Sequence, residues 1–467
     1  MYDKLRPYLD RRVPLMLALG FSSGLPLLLV LGTFTTRLAF SNIDVKAIGL
    51  FSYVALPYSL KFLWAPAIDR FDVPVLARLL GRRRAWMVTT QLATASALTL
   101  MAFSDPTTSL ALLGFGAFLV AFTAASQDVV IDGWRIDAAG TEMQGVMAAT
   151  SNLGYRFGLI TAGAGALLLA DQAGWTTAYL TMAGLMVVGM VAACFAPALD
   201  RTAHARPAGE GTTRVPAGKT ETWSFQGAIR APLDELYGRF GASLFAILVL
   251  VALYRMPDFI SGVMSSPLYR AVGYSLTQIA AVTKLYGIWV GIAGGFAGGW
   301  AIARFGLYRS LVAGAFLAAA SHLSMAWLSL YGPDVWATTI PAGALGLWPA
   351  EPIAVAIPWR LAIAISIENF CGSFAGISLI AYMSGLTTPA FAATQYALFS
   401  SLYALPGKLV AGTSGFIVAA WGYPAFFTFT AAVGIPVVAL CLAVGRRGTK
   451  KPEPKAEPQG LAAARTA

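Results

Sequence analysis

The sequence predicts an all-α integral membrane protein, with twelve membrane-crossing helices in two groups of six. Three observations predict it. First, the 467 residues are 57% hydrophobic and only 12% charged, with a mean hydropathy of +0.67, whereas a soluble domain carries about 25% charged residues. Second, apolar runs of about 20 residues, the length that crosses a hydrocarbon core, recur along the chain. Third, they divide around a hydrophilic stretch rich in Pro, Gly, Thr and charge.

Taken in order, the first half (1–197) holds predicted spans at 14–36, 47–67, 85–103, 109–131, 144–170 and 176–197. Residues 198–240, "DRTAHARPAGEGTTRVPAGKTETW…", read as a cytoplasmic linker by composition. The second half (241–445) holds spans at 241–266, 276–303, 309–330, 360–386, 391–418 and 423–444. The tail 446–467 is low in complexity and is expected to be disordered. The segment 331–359 is long and Pro-rich and leaves a short interfacial element open.

Positive charge sets the orientation. Lys4, Arg6, Arg11, Arg12, Arg78, Arg82, Arg83, Arg84, the basic linker, Arg304, Arg309 and the basic tail fall on one side; Arg37, Lys46 and Arg270 fall on the other. Both termini are therefore expected in the cytoplasm. The net charge of +11 follows this topology, so no nucleic-acid partner is implied. The polar start "MYDKLRPYLDRRVP" runs into a full span without a small-residue cleavage site, so no signal peptide is expected. Cys194, Cys371 and Cys441 lie in apolar runs and read as buried small hydrophobes. His204 and His322 stand far apart and make no typical metal site; His322, flanked by serines, reads as a packed histidine. The glycine-rich run "GIWVGIAGGFAGGWAIARFG" lacks the Lys-Ser/Thr end of a phosphate loop and reads as a helix-packing surface. No ATP-binding domain and no flavin, haem or soluble catalytic motif is found, so no cofactor is expected, and the energy must come from an ion gradient or the substrate's own gradient.

Charges inside the spans carry the functional signal. A central Asp, Lys or Arg costs about 2.5–3.5 kcal/mol to insert, and is kept where it pairs or faces a watery cavity. Lys61 lies in span 2, Asp128 and Asp132 in span 4, Arg156 in span 5, Arg255 and Asp258 in span 7, Lys284 in span 8, Glu368 in span 10 and Lys408 in span 11. Spans 2 and 8, 4 and 10, and 5 and 11 are equivalents under a two-half repeat, and each pair carries like charge. That pattern fits a polar cavity between two repeats. Asp128 is a candidate proton-titrating group, or a structural partner of Arg156 or Lys61. Asp132, with Arg135 and Asp137, suits a gating network near the cytoplasmic end. Arg255 and Asp258, three apart, form a local salt bridge or serve substrate and proton. Glu368, in "ISIENFCGSFAG", has no local partner and suits proton or substrate work. Arg156 and Lys408 could anchor an anionic group or pair structurally, and Lys284 joins them as a candidate cavity cation. Tyr155, Asn152, Asn369 and Gln395 suit sugar hydroxyls or core hydrogen bonds equally.

The halves resemble each other weakly. "APAIDRFDVPVLARLLGRRRAW" aligns with "GWAIARFGLYRSL", so that Arg70 meets Arg304. Six plus six spans with a basic loop there resemble the major facilitator superfamily, whose motif runs Gly-x-x-x-Asp-Arg-x-Gly-Arg-Arg. Ala65 replaces the first glycine, and an insertion separates Asp69-Arg70 from Gly81-Arg82-Arg83-Arg84. The resemblance implies a gating role for Asp69, Arg70, Arg82, Arg83 and Arg84. Further stretches, "LGFSSGLPLLL", "KFLWAPAIDR", "ASQDVVIDGWRID", "LGYRFG", "LYRMPD", "ENFCGS" and "ATQYALFSSL", together look like the AmpG-type muropeptide permeases over about 430 residues. That resemblance implies an inner-membrane importer of anhydro-muropeptides, GlcNAc-1,6-anhydro-MurNAc with or without stem peptide, driven by the proton gradient and serving wall recycling and β-lactamase induction. It implies a glycopeptide and protons as partners, a lipid bilayer, and a functional monomer. The assigned roles are then proton coupling by Asp128, Glu368 and Asp258, and substrate binding by Arg156, Lys408, Lys284, Arg255, Tyr155, Asn369 and Gln395. Two other readings stay open: transport of another bulky anion such as acetyl-CoA or a siderophore, and a membrane-embedded enzyme or sensor.

Overall fold

The computed structural model describes residues 10–138, 141–197, 225–340, 353–387 and 392–448. Among these, eight helices are long and apolar enough to cross a membrane and two more are shorter. They resolve into the twelve expected spans for three local reasons. The run Val146–Phe195 is two spans, because Gly174 at φ +82° turns the chain. Gly422 at φ +76° does the same between spans 11 (392–421) and 12 (423–448). Only glycine adopts such a φ without strain. Span 3, Arg82–Phe103, is too polar to stand out by hydropathy. Its Thr90, Thr94 and Thr99 hydroxyls return to carbonyls four residues back, which satisfies them inside the helix.

Span 1 runs from Arg12 to Val30, breaks at Leu31 and resumes over Gly32–Phe40. Arg37, assigned by sequence to a solvent-facing loop, is instead buried in this helix. Its guanidinium donates to the Met101 and Ser104 carbonyls at 2.8 and 2.7 Å and lies over the Tyr179 ring. It thereby caps orphan carbonyls at the end of span 3. Span 2 is not one helix. It passes through short α and 3₁₀ pieces from Val45 to Arg70, interrupted around Pro57 and Pro66. Span 4 is Leu110–Ala138. Span 5 is Thr141–Ile160 continued through a π-helical turn, Thr161–Gly165. Span 7 breaks at Arg255, just before Pro257. Span 8 starts at a Ser275–Gln278 capping box and is π-helical over Ala280–Tyr286. Spans 9 and 10 are Leu307–Tyr331 and Trp359–Leu386.

One further sequence expectation is corrected, that for Cys194, and two features are added. The segment after span 9, left open by the sequence, contains a two-stranded antiparallel hairpin, β1 (Trp336–Ile340) and β2 (Ile353–Ile357), on the otherwise helical fold. The end of the linker is a helix, Phe225–Phe240; it is tied to span 10 where Arg239 donates to the Leu386 carbonyl. Cys194 is exposed rather than buried, while Cys371 and Cys441 are buried as expected. His204 and the tail beyond 448 lie outside the described residues.

Small residues let the helices meet backbone to backbone. Gly20 and Gly24 of span 1 face Ser151 and Tyr155 of span 5, while Gly154 and Gly158 return the contact to Leu17 and Phe21. Gly294 and Gly298 of span 8 bring it against Phe370 and Phe374 of span 10. The apolar packing has a polarity. One large core joins both halves, from Leu25, Phe34 and Leu38 of span 1 to Ile260, Met264 and Leu268 of span 7. It lies toward the end that bears the hairpin. At the opposite end, which bears the basic loops, each half has its own core: Met16, Met87 and Trp134 in one, Leu250, Leu311 and Phe399 in the other. The halves are therefore closed together at the hairpin end and apart at the basic end.

Candidate functional site

Between the halves lies a cavity of about 1120 Å³. Its walls come mainly from spans 7, 8 and 10, with Gly32 of span 1 and Arg156 of span 5 opposite. It extends from Tyr269 and Lys284 toward Gly299 and Trp300, near the basic end of span 8. Arg156, Arg255, Asp258, Lys284, Glu368 and Asn369 all line it. Six of the residues chosen from sequence for proton or substrate therefore share one space.

The second-half cluster is built on the break in span 7. Where the helix stops at Arg255 and restarts, Arg255 and Asp258 share one face, and Arg255 Nε meets Asp258 Oδ2 at 3.0 Å. The guanidinium also donates to the Gly372 carbonyl at 2.5 Å. Gly372 and Gly376 lie beside it: a Cβ at either would sit in ordinary contact, 4.0 and 3.6 Å from its Nη1. Asp258 has a further partner that sequence reasoning missed. His322 of span 9 is fully buried, and its Nε2 lies 3.3 Å from Asp258 Oδ1 and 3.2 Å from Ser261 Oγ. The signal available was a lone histidine among serines, which packing explains equally well. Glu368 is surrounded electrostatically by His322, Asp258, Lys284 and Arg255, yet no ion pair of Glu368 is found among the described residues. Asn369 donates to the Gly287 carbonyl at 3.1 Å. Lys284 crosses the interface: its stem lies against Gly163 and its ammonium against Gly32, where a Cβ would press on it at 3.2 and 3.1 Å.

The first-half cluster centres on Asp128. Ser23 donates a short hydrogen bond to its carboxylate, and Lys61 Nζ stands 3.9 Å away. Tyr58 and Tyr155 are its electrostatic neighbours. Of the two partners weighed from sequence, Lys61 is therefore the one that meets it. Arg156 instead takes Asn152, through Nε to Oδ1 at 3.3 Å. Lys408 donates to Ser59 across the halves at 2.8 Å, away from the cavity wall. Gln395 also stands apart; it donates to Glu235 of the linker helix at 2.6 Å. Near the basic end, Asp132 and Arg135 pair at 3.2 Å. The Arg83 guanidinium covers Gly133, one residue from Asp132, so the first turn of span 3 touches span 4. Arg82 is also engaged, and Arg84 keeps a buried Nε without a partner. The side chains of Asp69 and Arg70 lie outside the described residues.

Two six-span halves around a charged cavity, closed at one end, define a secondary membrane transporter. Residues 13–358 match the model of the Major Facilitator Superfamily. Solved structures with the same fold include a D-xylose-proton symporter (TM-score 0.63, 11% identity, 93% of this chain and 97% of that one) and the POT family transporter PepTSo (TM-score 0.63, 14% identity, 94% and 98%). Over 440 residues the chain is 34% identical to the anhydromuropeptide permease of Escherichia coli K12, covering 94% of this chain and 80% of that one. It is 29% identical to a protein named as an AmpG 4 transporter in Rickettsia felis, covering 94% and 97%. The chain belongs to the Major Facilitator Superfamily and, within it, to the family of the anhydromuropeptide permeases.

Proposed function

We propose that this transporter imports anhydro-muropeptides from the periplasm across the inner membrane, coupled to protons, with the basic end and both termini in the cytoplasm. The observation that carries the reading is the likeness to the E. coli permease along 94% of the chain. The cavity supports it: about 1120 Å³ exceeds the roughly 300–1,000 Å³ of pockets for drug-sized ligands, and its charged groups suit an acidic glycopeptide. Arg156, Lys284 and Arg255 take the substrate's acidic groups, and Asn369 and Tyr155 take its hydroxyls. Asp128, Asp258 and Glu368 carry the proton. A proton on Asp128 removes the charge that holds Lys61, loosening the first-half cluster. The halves 1–197 and 241–445 rock as units over the linker 198–240, and Asp69, Arg70, Arg82–Arg84, Asp132 and Arg135 latch them at the cytoplasmic end in the opposite state. The monomer is the working unit.

The test is uptake of labelled GlcNAc-anhydro-MurNAc into proteoliposomes, with and without an inward acid gradient, for the wild type and Asp128→Asn. Gradient-driven accumulation lost in the variant, with binding kept, supports substrate and proton role together. Uptake that ignores the gradient removes proton coupling. No uptake and no binding removes the muropeptide and favours another bulky anion.

A further inference from the structure

The cavity's second-half carboxylate, Asp258, is held from two sides by groups of different kinds. On the cavity side stands Arg255, permanently charged, at 3.0 Å. On the core side stands His322, which does not line the cavity, at 3.3 Å. A ring nitrogen facing a carboxylate carries its hydrogen, so Nε2 donates to Asp258, and Ser261, whose hydroxyl donates to the Asp258 backbone carbonyl at 3.2 Å, adds no competing proton. His322 Nδ1 is then a bare acceptor, buried and without a hydrogen-bond partner among the described residues. Such a group in a sealed core costs about 1–3 kcal/mol, and a purely packed histidine gives no reason to keep it. It has one ready use: it can receive a proton.

We propose that His322 is a positioning residue that reads proton occupancy from behind the cavity and sets whether Arg255 is free for an anionic substrate. The inference rests on the transport reading above. With His322 neutral, Arg255 is the strong partner of Asp258 and is withheld from ligand. With a proton on Nδ1, the imidazolium neutralises Asp258 from the core side, and the guanidinium turns toward the cavity. The N–H bond forms at Nδ1 as an O–H bond of a hydronium ion admitted from the cavity breaks, and no other bond changes. The titratable and charged groups around this pair come from several spans. Span 7 brings Asp258, Arg255, Tyr254 and, beside Glu368, Tyr269; span 10 brings Glu368 and Cys371, and span 8 brings Lys284. The stretch from Ser414 of span 11 to Val444 of span 12 brings no Asp, Glu, Lys or Arg. Arg255, Asp258, Lys284 and Glu368 sum to zero, so one proton on His322 makes the cluster attractive to a single carboxylate.

Two measurements test it. Binding of GlcNAc-anhydro-MurNAc is followed from pH 5.5 to 8 in the wild type, His322→Gln and Asp258→Asn. Wild-type affinity rises as pH falls, by up to about tenfold per pH unit, the linkage for one proton. Both variants give a shallower profile than the wild type, the remainder belonging to Asp128 and Glu368, and His322→Gln, which keeps a donor, retains substrate counterflow. A wild-type profile in His322→Gln overturns the proposal, as does loss of counterflow in a folded His322→Gln, which leaves His322 a structural role only. The second measurement needs no substrate. The chain has two histidines, so NMR of histidine-labelled protein resolves His322 from the linker's His204. For the proposal to hold, the His322 ring must take up a proton over the pH range in which affinity rises, and this response must change in Asp258→Asn. A ring silent across that range overturns the proposal even if the transported ligand is not a muropeptide. A titrating ring with no muropeptide binding overturns only the substrate.

Discussion

Replacing Gly24 by alanine tests how tightly spans 1 and 5 are set. A Cβ at Gly24 would stand 2.2 Å from the Tyr155 carbonyl oxygen. Ordinary contact begins near 3.4 Å, so the two backbones must part by roughly 1 Å. Overpacking of this kind costs about 1–3 kcal/mol. Alanine also gains about 0.5–1 kcal/mol over glycine inside a helix, so a control must carry the same gain. Gly184 of span 6 supplies it, because a Cβ there meets nothing within 4 Å. The difference between Gly24→Ala and Gly184→Ala is then the steric cost alone. Thermal unfolding of the purified protein is expected to place Gly24→Ala several degrees below Gly184→Ala. Uptake should fall as well, since Tyr155 lies against Asp128 and Ser23 adjoins Gly24. Equal unfolding temperatures would refute the argument that glycine is needed for this approach.

Arg37→Ala is expected to cost about 3 kcal/mol or more, because two charge-assisted bonds are lost, the Ser104 carbonyl loses this donor and the Met101 carbonyl keeps only the Ser104 N–H at 3.3 Å; Arg37→Lys should recover only part of this in the same melt. Asp10 lies before span 1 and is held by Arg12 through two 2.8 Å bonds, which bring its carboxyl down to about 2. Its folded value lies below the unfolded one, so the pair stabilises above about pH 4 and the contribution disappears as pH falls through 2. Water reaches the pair, so Asp10→Asn should lose less than about 1 kcal/mol at pH 7, and the gap to wild type should close between pH 4 and 2. Gly163→Val fills the place of the Lys284 stem; it is expected to push the two halves apart at the hairpin end, read as faster labelling of a cysteine introduced at Phe40.

Much of this architecture was written in composition and spacing. Twelve apolar runs and a basic asymmetry sufficed to lay out the spans, and the in-span charges converged on one cavity because each is too costly to keep elsewhere. Other features depend on contacts between distant segments. The expense of Arg37 is met by carbonyls of span 3, more than sixty residues on. His322 gains meaning only beside Asp258, on a different helix. Gln395 looked as apt for a sugar as Asn369, yet the linker helix takes it. Span 2 follows one hydrophobic pattern but is broken by its prolines, and pattern does not report breaks. The hairpin forms from two short strands set apart by a Pro- and Gly-rich stretch, below what alternation alone could resolve.

The closed end of the molecule is sealed by shape. Gly49 of span 2 packs onto the backbone at Gly412 and Gly415. Ser266 reaches the Gly32 carbonyl and Tyr53 the Leu409 carbonyl, while Thr277 donates to Asp171. Among the described residues, no ion pair joins the two halves there. Its charge-bearing contacts are only the Asp171 carboxylate under Thr277 and the Arg270 guanidinium over the Phe40 ring, so screening by dissolved ions has little to act on at this seam. A dilute medium and a briny one should differ little in how readily it parts, and what chiefly holds it is the exclusion of water from well-fitted faces, the same quality that keeps the membrane from leaking while cargo leaves by the other door.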